Sequence, residues 1–256
     1  MANTESTPPR ADGLHSDTER LLLGVTRVLT FSDSGQSTAA TGFLFQRDDR
    51  LYLITSRHVF IDSPTGHRPD RIEIVLHGGG DLKRFTTVPI SLYRRGTAAW
   101  HQAEDGGGEI DVAAIELAPD VAASVSAGQR FGVSQLASRD DDLAIGDPVV
   151  IPGYPLGFYD TVHHLPVSRS GTVASAYGIR FQDKAYFLTD SRTHRGSSGA
   201  PVLVRTRELS GDRGWRLVGI HSSRLDMSQR DVLVDEQLGL NSAWYADVLL
   251  TLTQPR

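Results

Sequence analysis

The chain has 256 residues, of which 39% are hydrophobic and 22% charged, a composition typical of a globular protein with a buried core. Its 26 basic and 31 acidic side chains give a formal net charge of -5, which disfavours a nucleic-acid partner because such proteins need a basic surface. Cysteine is absent, which excludes disulfides, cysteine-ligated zinc and a thiol nucleophile.

Residues 1–20 are polar, include Pro8 and Pro9, and show no periodicity, so we predict a flexible N-terminal tail. They lack the basic-then-apolar order of a secretory signal. No run in the chain approaches the roughly 18 apolar residues of a membrane span. We therefore expect a cytoplasmic protein without a membrane partner.

Short segments rich in β-branched and aromatic residues fill 21–120, and turn sequences such as HGGG and EDGGGE separate them. The predicted strands are 23–31, 40–46, 51–55, 71–77, 85–93 and 111–117. No stretch of helical length lies between them, which favours an antiparallel sandwich or barrel over βαβ units.

A polar, Ala/Ser-rich stretch at 121–140 is predicted to be a linker, and a second set of strands follows in 141–256. The predicted strands of this half are 148–154, 170–176, 184–190, 200–206 and 215–222. At the end of the chain we predict a helix over about 241–253, because apolar residues recur there at helical spacing and Asn241 or Ser242 could cap it.

The segment THRGSSGAPV at 193–202 predicts a tight turn that presents the Ser198 hydroxyl beside free backbone amides. Gly196 can adopt a backbone conformation that other residues avoid. In such a turn the amides of Gly196 and Ser198 would form an oxyanion hole. An ordinary Gly/Ser loop would account for the segment equally well when it is taken alone.

A histidine and an acid in the first half could complete such a site. His58 lies three residues beyond the apolar segment LYLIT, where a general base could be held, although most lone histidines have structural roles. Asp111 begins the apolar segment DVAAIEL and could orient the imidazole. Asp105 and Glu109 are rivals, but the strand that follows Asp111 would fix its direction.

The order His58, Asp111, Ser198 excludes an α/β-hydrolase, in which the serine comes first and the histidine last. The histidine and the acid lie in the first set of strands and the serine in the second. A site at the junction of two barrels would draw on both.

These motifs resemble those of trypsin-like (chymotrypsin-fold) serine proteases of the bacterial, disulfide-free type, over roughly residues 23–253. The similar segments are GFLF (42–45), ITSRHV (54–59), DVAAIEL (111–117), GDPVVIPGYPLG (146–157), SGTVAS (170–175) and GSSGAPV (196–202). The resemblance implies an all-β fold of two packed antiparallel six-stranded barrels with a C-terminal helix. It also implies a serine endopeptidase with a His58–Asp111–Ser198 triad that acts on proteins or peptides without a metal or cofactor.

Some residues depart from the family pattern. Ser56 and Arg57 replace the usual small pair before the histidine, which places a bulky base beside the site. Ser197 replaces the acid or amide before the nucleophile, so pairing with a newly cut N-terminus is not expected there. The oxyanion loop must then be held in another way, or be ordered by substrate or by a regulatory protein partner.

The specificity pocket resembles that of glutamyl endopeptidases and of viral proteases that cut after Gln. It shares Gly219-Ile220-His221 with them, and a threonine, Thr193, five residues before the nucleophile. We predict substrate contacts from Arg192, Thr193, His221, Ser222, Ser223 and Arg224. Hydrogen-bond donors there would favour an acidic or amide residue at the cleavage position over Lys or Arg. In the alternative, His221 is structural and Arg192 points to solvent.

Three further interpretations stay open or are disfavoured. A catalytically weak protease-fold module could recruit a protein partner through the same groove. A protease of the high-temperature-requirement (HtrA) type is not expected, because those enzymes carry a peptide-binding domain after the catalytic one. His163 and His164 lack an acid at ligand spacing and are interpreted as loop residues rather than metal ligands.

Overall fold

The computed structural model describes residues 21–33, 35–78, 82–137, 141–207, 213–224 and 239–254, so the predicted tail at 1–20 lies outside the described residues. The strands are β1 (Val25–Ser32), β2 (Gly35–Arg47), β3 (Arg50–Thr55), β4 (Arg71–His77), β5 (Phe85–Ser91), β6 (Tyr93–Arg94), β7 (Thr97–Ala98), β8 (Trp100–His101), β9 (Glu104–Asp105), β10 (Gly108–Glu109), β11 (Ala113–Glu116), β12 (Phe131–Gly132), β13 (Pro148–Gly153), β14 (Val167–Thr172), β15 (Tyr186–Thr189), β16 (Pro201–Arg207), β17 (Arg213–Arg224) and β18 (Asn241–Tyr245). The α-helices are α1 (Pro119–Ser124) and α2 (Val248–Leu252). Within the described residues, no helix is long and apolar enough to cross a membrane.

The first half forms an eight-stranded sheet in the order β5-β4-β1-β2-β3-β11-β8, with β12 pairing parallel to β2. Alternating side chains set the faces of these strands, as β4 illustrates. Ile72, Ile74 and Leu76 are buried, while Arg71 and Glu73 lie on the other face. The sheet has eight strands rather than the six predicted, because the short β8 and β12 join it.

The second half forms a six-stranded sheet in the order β14-β13-β16-β17-β18-β15. Its two outer strands also meet. Val173, just after β14, bridges Thr189 of β15, and the Ala174 amide donates to the Leu188 carbonyl at 2.8 Å. These contacts join the first and last strands of this sheet.

Buried side chains form one cluster in each half and a third that draws on both. The shared cluster packs Phe43, Tyr52 and Val112 of the first half with Leu188 and Leu203 of the second. Because such packing fixes one sheet against the other, residues at the junction can be positioned from both sides.

The stretch 121–140, which we predicted to be a linker, also contributes side chains to the core. Val125, Gln129 and Phe131 are buried, and the ring of Phe131 packs edge-on against Phe43 with centroids 5.3 Å apart. Gln129 also donates from Nε2 to the His77 carbonyl at 3.2 Å. Much of the stretch is polar, but its few large side chains bury against the first sheet. Residues 138–140 lie outside the described residues.

The predicted helix over 241–253 is wrong in its first part. Asn241–Tyr245 is strand β18, which pairs with both β15 and β17, and the helix is confined to Val248–Leu252. All five residues of β18 are buried. An interior strand that is buried on both faces shows no alternation, so its apolar residues could be mistaken for one face of a helix.

Candidate active site

A histidine and an aspartate share two hydrogen bonds where β3 and β11 lie side by side. His58 Nδ1 lies 2.7 Å from Asp111 Oδ2, and the His58 amide donates to Asp111 Oδ1 at 2.8 Å. His58 sits in a one-turn 3-10 helix directly after β3, and Asp111 stands two residues before β11. Because the carboxylate engages Nδ1, the other ring nitrogen, Nε2, is left for chemistry.

The same carboxylate receives a third donor from the second half of the chain. Ser222, on β17, donates its hydroxyl to Asp111 Oδ2 at 2.5 Å. We predicted Ser222 as a substrate contact, and its hydroxyl is instead directed at the acid. No feature of the sequence indicated this role, since a serine within a strand has many possible partners.

The environment of His58 favours its charged form. Burial of the ring lowers the pKa, but the hydrogen bond and the charge of Asp111, together with the charge of Asp62, outweigh it and raise the pKa of His58 above its usual value. The side chain remains 36% exposed, so the imidazole can reach an incoming group. The pair can therefore hold a proton taken from a nucleophile.

The turn that carries Ser198 packs directly against the strand that leads to His58. Gly199 has φ +84°, and a Cβ there would lie 2.2 Å from the Thr41 carbonyl oxygen and 2.3 Å from Thr55 Oγ1. The Gly199 amide donates to the His221 carbonyl at 2.7 Å. Only glycine fits this approach, which brings the Ser198 turn against the end of β3.

The backbone amides of Gly196 and Ser198 in this turn are the two that we predicted to form an oxyanion hole. Gly196 has φ +92°, and a Cβ there would lie 2.5 Å from the Tyr154 carbonyl oxygen. Among the described residues, the amides of Gly196 and Ser198 meet no hydrogen-bond acceptor. Both residues are only partly buried. Unpaired amides at such a place can bind a negatively charged oxygen.

Thr41 holds this turn from the first half, and we did not predict it. Its amide donates to the Ser198 carbonyl at 3.0 Å, and its hydroxyl donates to the Gly196 carbonyl at 2.7 Å. The hydroxyl also accepts from the Tyr154 amide at 3.0 Å. Thr41 immediately precedes the GFLF segment, but a threonine in a strand carries no sequence signal for such bonds.

The comparisons with known proteins agree with this geometry. The sequence profile described as a trypsin-like peptidase domain matches residues 40–211. The chain belongs to the trypsin-like peptidase family. The predicted resemblance to trypsin-like serine proteases is therefore confirmed at the level of the family.

Two curated relatives of this peptidase are serine protease HTR4 of Rattus norvegicus and serine protease HTRA4 of Mus musculus. Each is 24% identical over 189 residues, which is 74% of this chain and 30% of the relative. The chain thus spans less than a third of their length. Both relatives are serine proteases by name.

Solved structures share the fold of this peptidase. The HtrA-type protease AlgW with a tripeptide has a TM-score of 0.55 at 16% identity, covering 92% of this chain and 62% of that one. The serine endoprotease from Yersinia pestis has a TM-score of 0.53 at 15% identity, covering 93% and 65%.

The predicted pocket residues of the peptidase differ in their surroundings. Thr193 and His221 are buried, and Thr193 Oγ1 donates to Asn241 Oδ1 at 2.6 Å. Arg192 and Ser223 are exposed. The remaining predicted contact, Arg224, ends β17, and its side chain lies outside the described part of the chain. Asn241 was missed as a site residue because it was expected to cap a helix.

The polar residues that competed for a catalytic role are bound elsewhere. Glu109 pairs with Arg57 at 2.7 Å, and Arg57 also donates to Gln102 Oε1 at 3.1 Å. The bulky Arg57 side chain beside His58 is therefore turned toward Glu109. Asp105 pairs with Arg180 at 2.6 Å, which links the first half to the second.

The histidine pair 163–164 lies in a turn between β13 and β14. His163 Nδ1 is 2.7 Å from Asp160 Oδ2, three residues earlier in the chain. The His163 carbonyl accepts from His77 Nε2 at 2.6 Å. The pair thus takes part in a contact between the two halves.

Proposed function

We propose that this chain is a serine endopeptidase that cleaves peptide bonds through Ser198, His58 and Asp111. The observation that carries the proposal is the pair of hydrogen bonds that the Asp111 carboxylate accepts from the backbone amide and ring Nδ1 of His58, which leaves ring Nε2 directed away from the acid. The family membership and the two unpaired amides of the Ser198 turn support it.

The proposed reaction proceeds through an acyl-enzyme. His58 Nε2 takes the proton of the Ser198 hydroxyl as its oxygen attacks the peptide carbonyl, and the amides of Gly196 and Ser198 hold the resulting oxyanion. The imidazolium gives the proton to the departing amine, which breaks the peptide bond. A water molecule, deprotonated by His58, then hydrolyses the ester on Ser198 and restores the free enzyme.

The substrate is proposed to be a protein or peptide that adds as an extended strand to β17 near His221. We propose a preference for Glu, Asp or Gln at the cleavage position, with His221 and Thr193 in the pocket as in the glutamyl endopeptidases that the sequence resembles. Closure of both sheets into barrels would place this groove at their junction, and the contact of β14 with β15 supports closure of the second.

A fluorophosphonate probe tests the proposal, because it labels only an activated serine. The wild-type chain should be labelled, and Ser198→Ala should not. Ser124→Ala is the matched control, since Ser124 is an exposed serine on α1 whose hydroxyl donates to the Val121 carbonyl of the same helix. It should be labelled as fast as the wild type. A folded wild-type chain that is never labelled, even with candidate partners or peptides added, would instead favour the protease-fold binding module.

A further inference from the structure

The orientation of the buried Asn241 carboxamide is set by the groups around it. Asn241 is 1% exposed, and its Nδ2 donates to the Ser191 carbonyl at 2.6 Å and to the Thr189 carbonyl at 3.3 Å. Exchanging its nitrogen and oxygen would place two oxygens 2.6 Å apart with no proton between them. The carboxamide oxygen, Oδ1, must therefore face Thr193.

This orientation determines what the Thr193 hydroxyl can do. Its oxygen lies 2.6 Å from Asn241 Oδ1, which is an acceptor only, so Thr193 must donate its single proton there. The oxygen of Thr193 then has only lone pairs to offer to any other group. It can accept a hydrogen bond from a substrate, but it cannot donate one.

Thr193 is buried in the segment that leads into the Ser198 turn. It is three residues before Gly196, and its partner Asn241 shares one face of β18 with Ala243. His221 pairs directly with Ala243 across the sheet. The Thr193 hydroxyl and the His221 side chain therefore belong to the same side of the sheet, next to the serine turn.

We propose that Asn241 positions Thr193 as an acceptor, and that the pocket selects a primary carboxamide side chain over a carboxylate at the cleavage position. This rests on the proposed peptidase function. The NH₂ group of a carboxamide can donate a hydrogen bond to the Thr193 hydroxyl oxygen, and its oxygen can accept a hydrogen bond from a ring N–H of His221. A carboxylate has only lone pairs and would face those of Thr193. Arg192 does not reverse the preference, because its side chain is exposed and its charge is screened by water.

Two peptides that differ only in Gln or Glu at the cleavage position test this preference. A buried polar group left without a partner is costly, so we expect kcat/KM for the Gln peptide to exceed that for the Glu peptide by about tenfold or more. Equal rates, or faster cleavage of the Glu peptide, would overturn the proposal.

Variants of Thr193 separate the acceptor role from a structural one. Thr193→Val should lower cleavage of the Gln peptide by about tenfold and leave that of the Glu peptide unchanged or raised, because an acceptor is lost. Thr193→Ser should keep the wild-type ratio. Thr97→Val, an exposed threonine on β7, is the matched control. A selective loss of Glu cleavage in Thr193→Val would show that Thr193 donates, and would overturn the proposal.

A variant of Asn241 tests the positioning role itself. Asn241→Ala frees the Thr193 proton, so the Gln-to-Glu ratio should fall toward one or below. An unchanged ratio in a folded variant would contradict the role of Asn241, and the Thr193 variants remain decisive if Asn241→Ala does not fold. Fluorophosphonate labelling of the same samples separates the two proposals. Labelling of Ser198 without cleavage of either peptide overturns only the pocket proposal, and a wild-type chain that is never labelled overturns both.

Discussion

The Asp111 carboxylate shows how much of the site depends on single side chains. It accepts from the ring and the amide of His58 and from the hydroxyl of Ser222, so donors from both halves fix its position. Burial lowers the pKa of the His58 imidazole, but the hydrogen bond to Asp111, and after it the negative charge of Asp111, raise the pKa above its usual value. Charge-assisted bonds of this kind are among the stronger ones in proteins.

Asp111→Asn should therefore slow the reaction and move its pH dependence. The base must be neutral to act, so the wild-type labelling rate should rise with pH through a midpoint above 6.5, the ordinary value for histidine. Removing the acidic charge lowers the pKa of His58, so the midpoint should move to lower pH, with a rate reduced on the order of 10⁴-fold. Rates of fluorophosphonate labelling at a series of pH values measure both effects.

Asp120→Asn, which changes an exposed acid on α1, is the control and should keep the wild-type profile. A midpoint that stays in place in Asp111→Asn would contradict the role of Asp111 in setting the charge of His58.

Among the structural elements, the turn 196–199 depends on backbone that only glycine can supply. A side chain at Gly199 would meet both the backbone of β2 and Thr55 of β3. Gly66 also has a positive φ, of +71°, but nothing lies within 4 Å of the position that its Cβ would take. The two glycines therefore separate the effect of backbone strain from that of steric contact.

Gly66→Ala should lower the free energy of unfolding by roughly 1–2 kcal/mol, the cost of a left-handed backbone for an ordinary residue. Gly199→Ala should cost clearly more than this and abolish labelling of Ser198, because two elements must also move. Urea unfolding of the two variants measures the difference. Equal losses would show that the close packing of the turn contributes nothing.

Sequence patterns predicted the strands well where one face is buried and the other is not, as in β4, and less well elsewhere. β18 is buried on both faces, so its spacing resembled that of a helix. Phe131 was missed as a core residue because polar neighbours surround it in the chain. The residues of the proposed triad lie in segments with family motifs and could be named from the sequence. Thr41 and Asn241, in contrast, act through hydrogen bonds between distant segments that no local pattern reveals.

Across the whole molecule, the two halves also meet at His77. Its ring is 4% exposed and donates from Nε2 to the His163 carbonyl, and among the described residues its Nδ1 has no partner. Burial lowers the pKa of His77, the hydrogen bond to His163 opposes this, and repulsion from His163 adds to the lowering. Protonation would place a second N–H where no acceptor lies among the residues that the structure describes.

The protein should therefore lose stability in acid through His77. Below pH 6.5 His77 is protonated in the unfolded chain but stays neutral in the folded protein. The free energy of unfolding therefore decreases as the pH is lowered, until the pH reaches the lowered pKa of His77 in the folded state. His77→Gln keeps a donor for the His163 carbonyl and cannot be protonated. Urea unfolding at pH 7.5 and 5.5 should show a smaller loss for this variant than for the wild type, and an equal loss would assign the acid sensitivity to other groups.

Because of the hydrogen bonds of Thr41, the Ser198 turn depends on an uncut connection between the two halves of the chain. The serine turn belongs to the rear half, yet its carbonyls at 196 and 198 are anchored by a residue of the front half. Neither half alone contains both the Ser198 turn and the threonine that anchors it. A nick in the connecting segment would therefore separate the proposed nucleophile from its anchor, and fluorophosphonate labelling of Ser198 would report the reassociation of the two fragments.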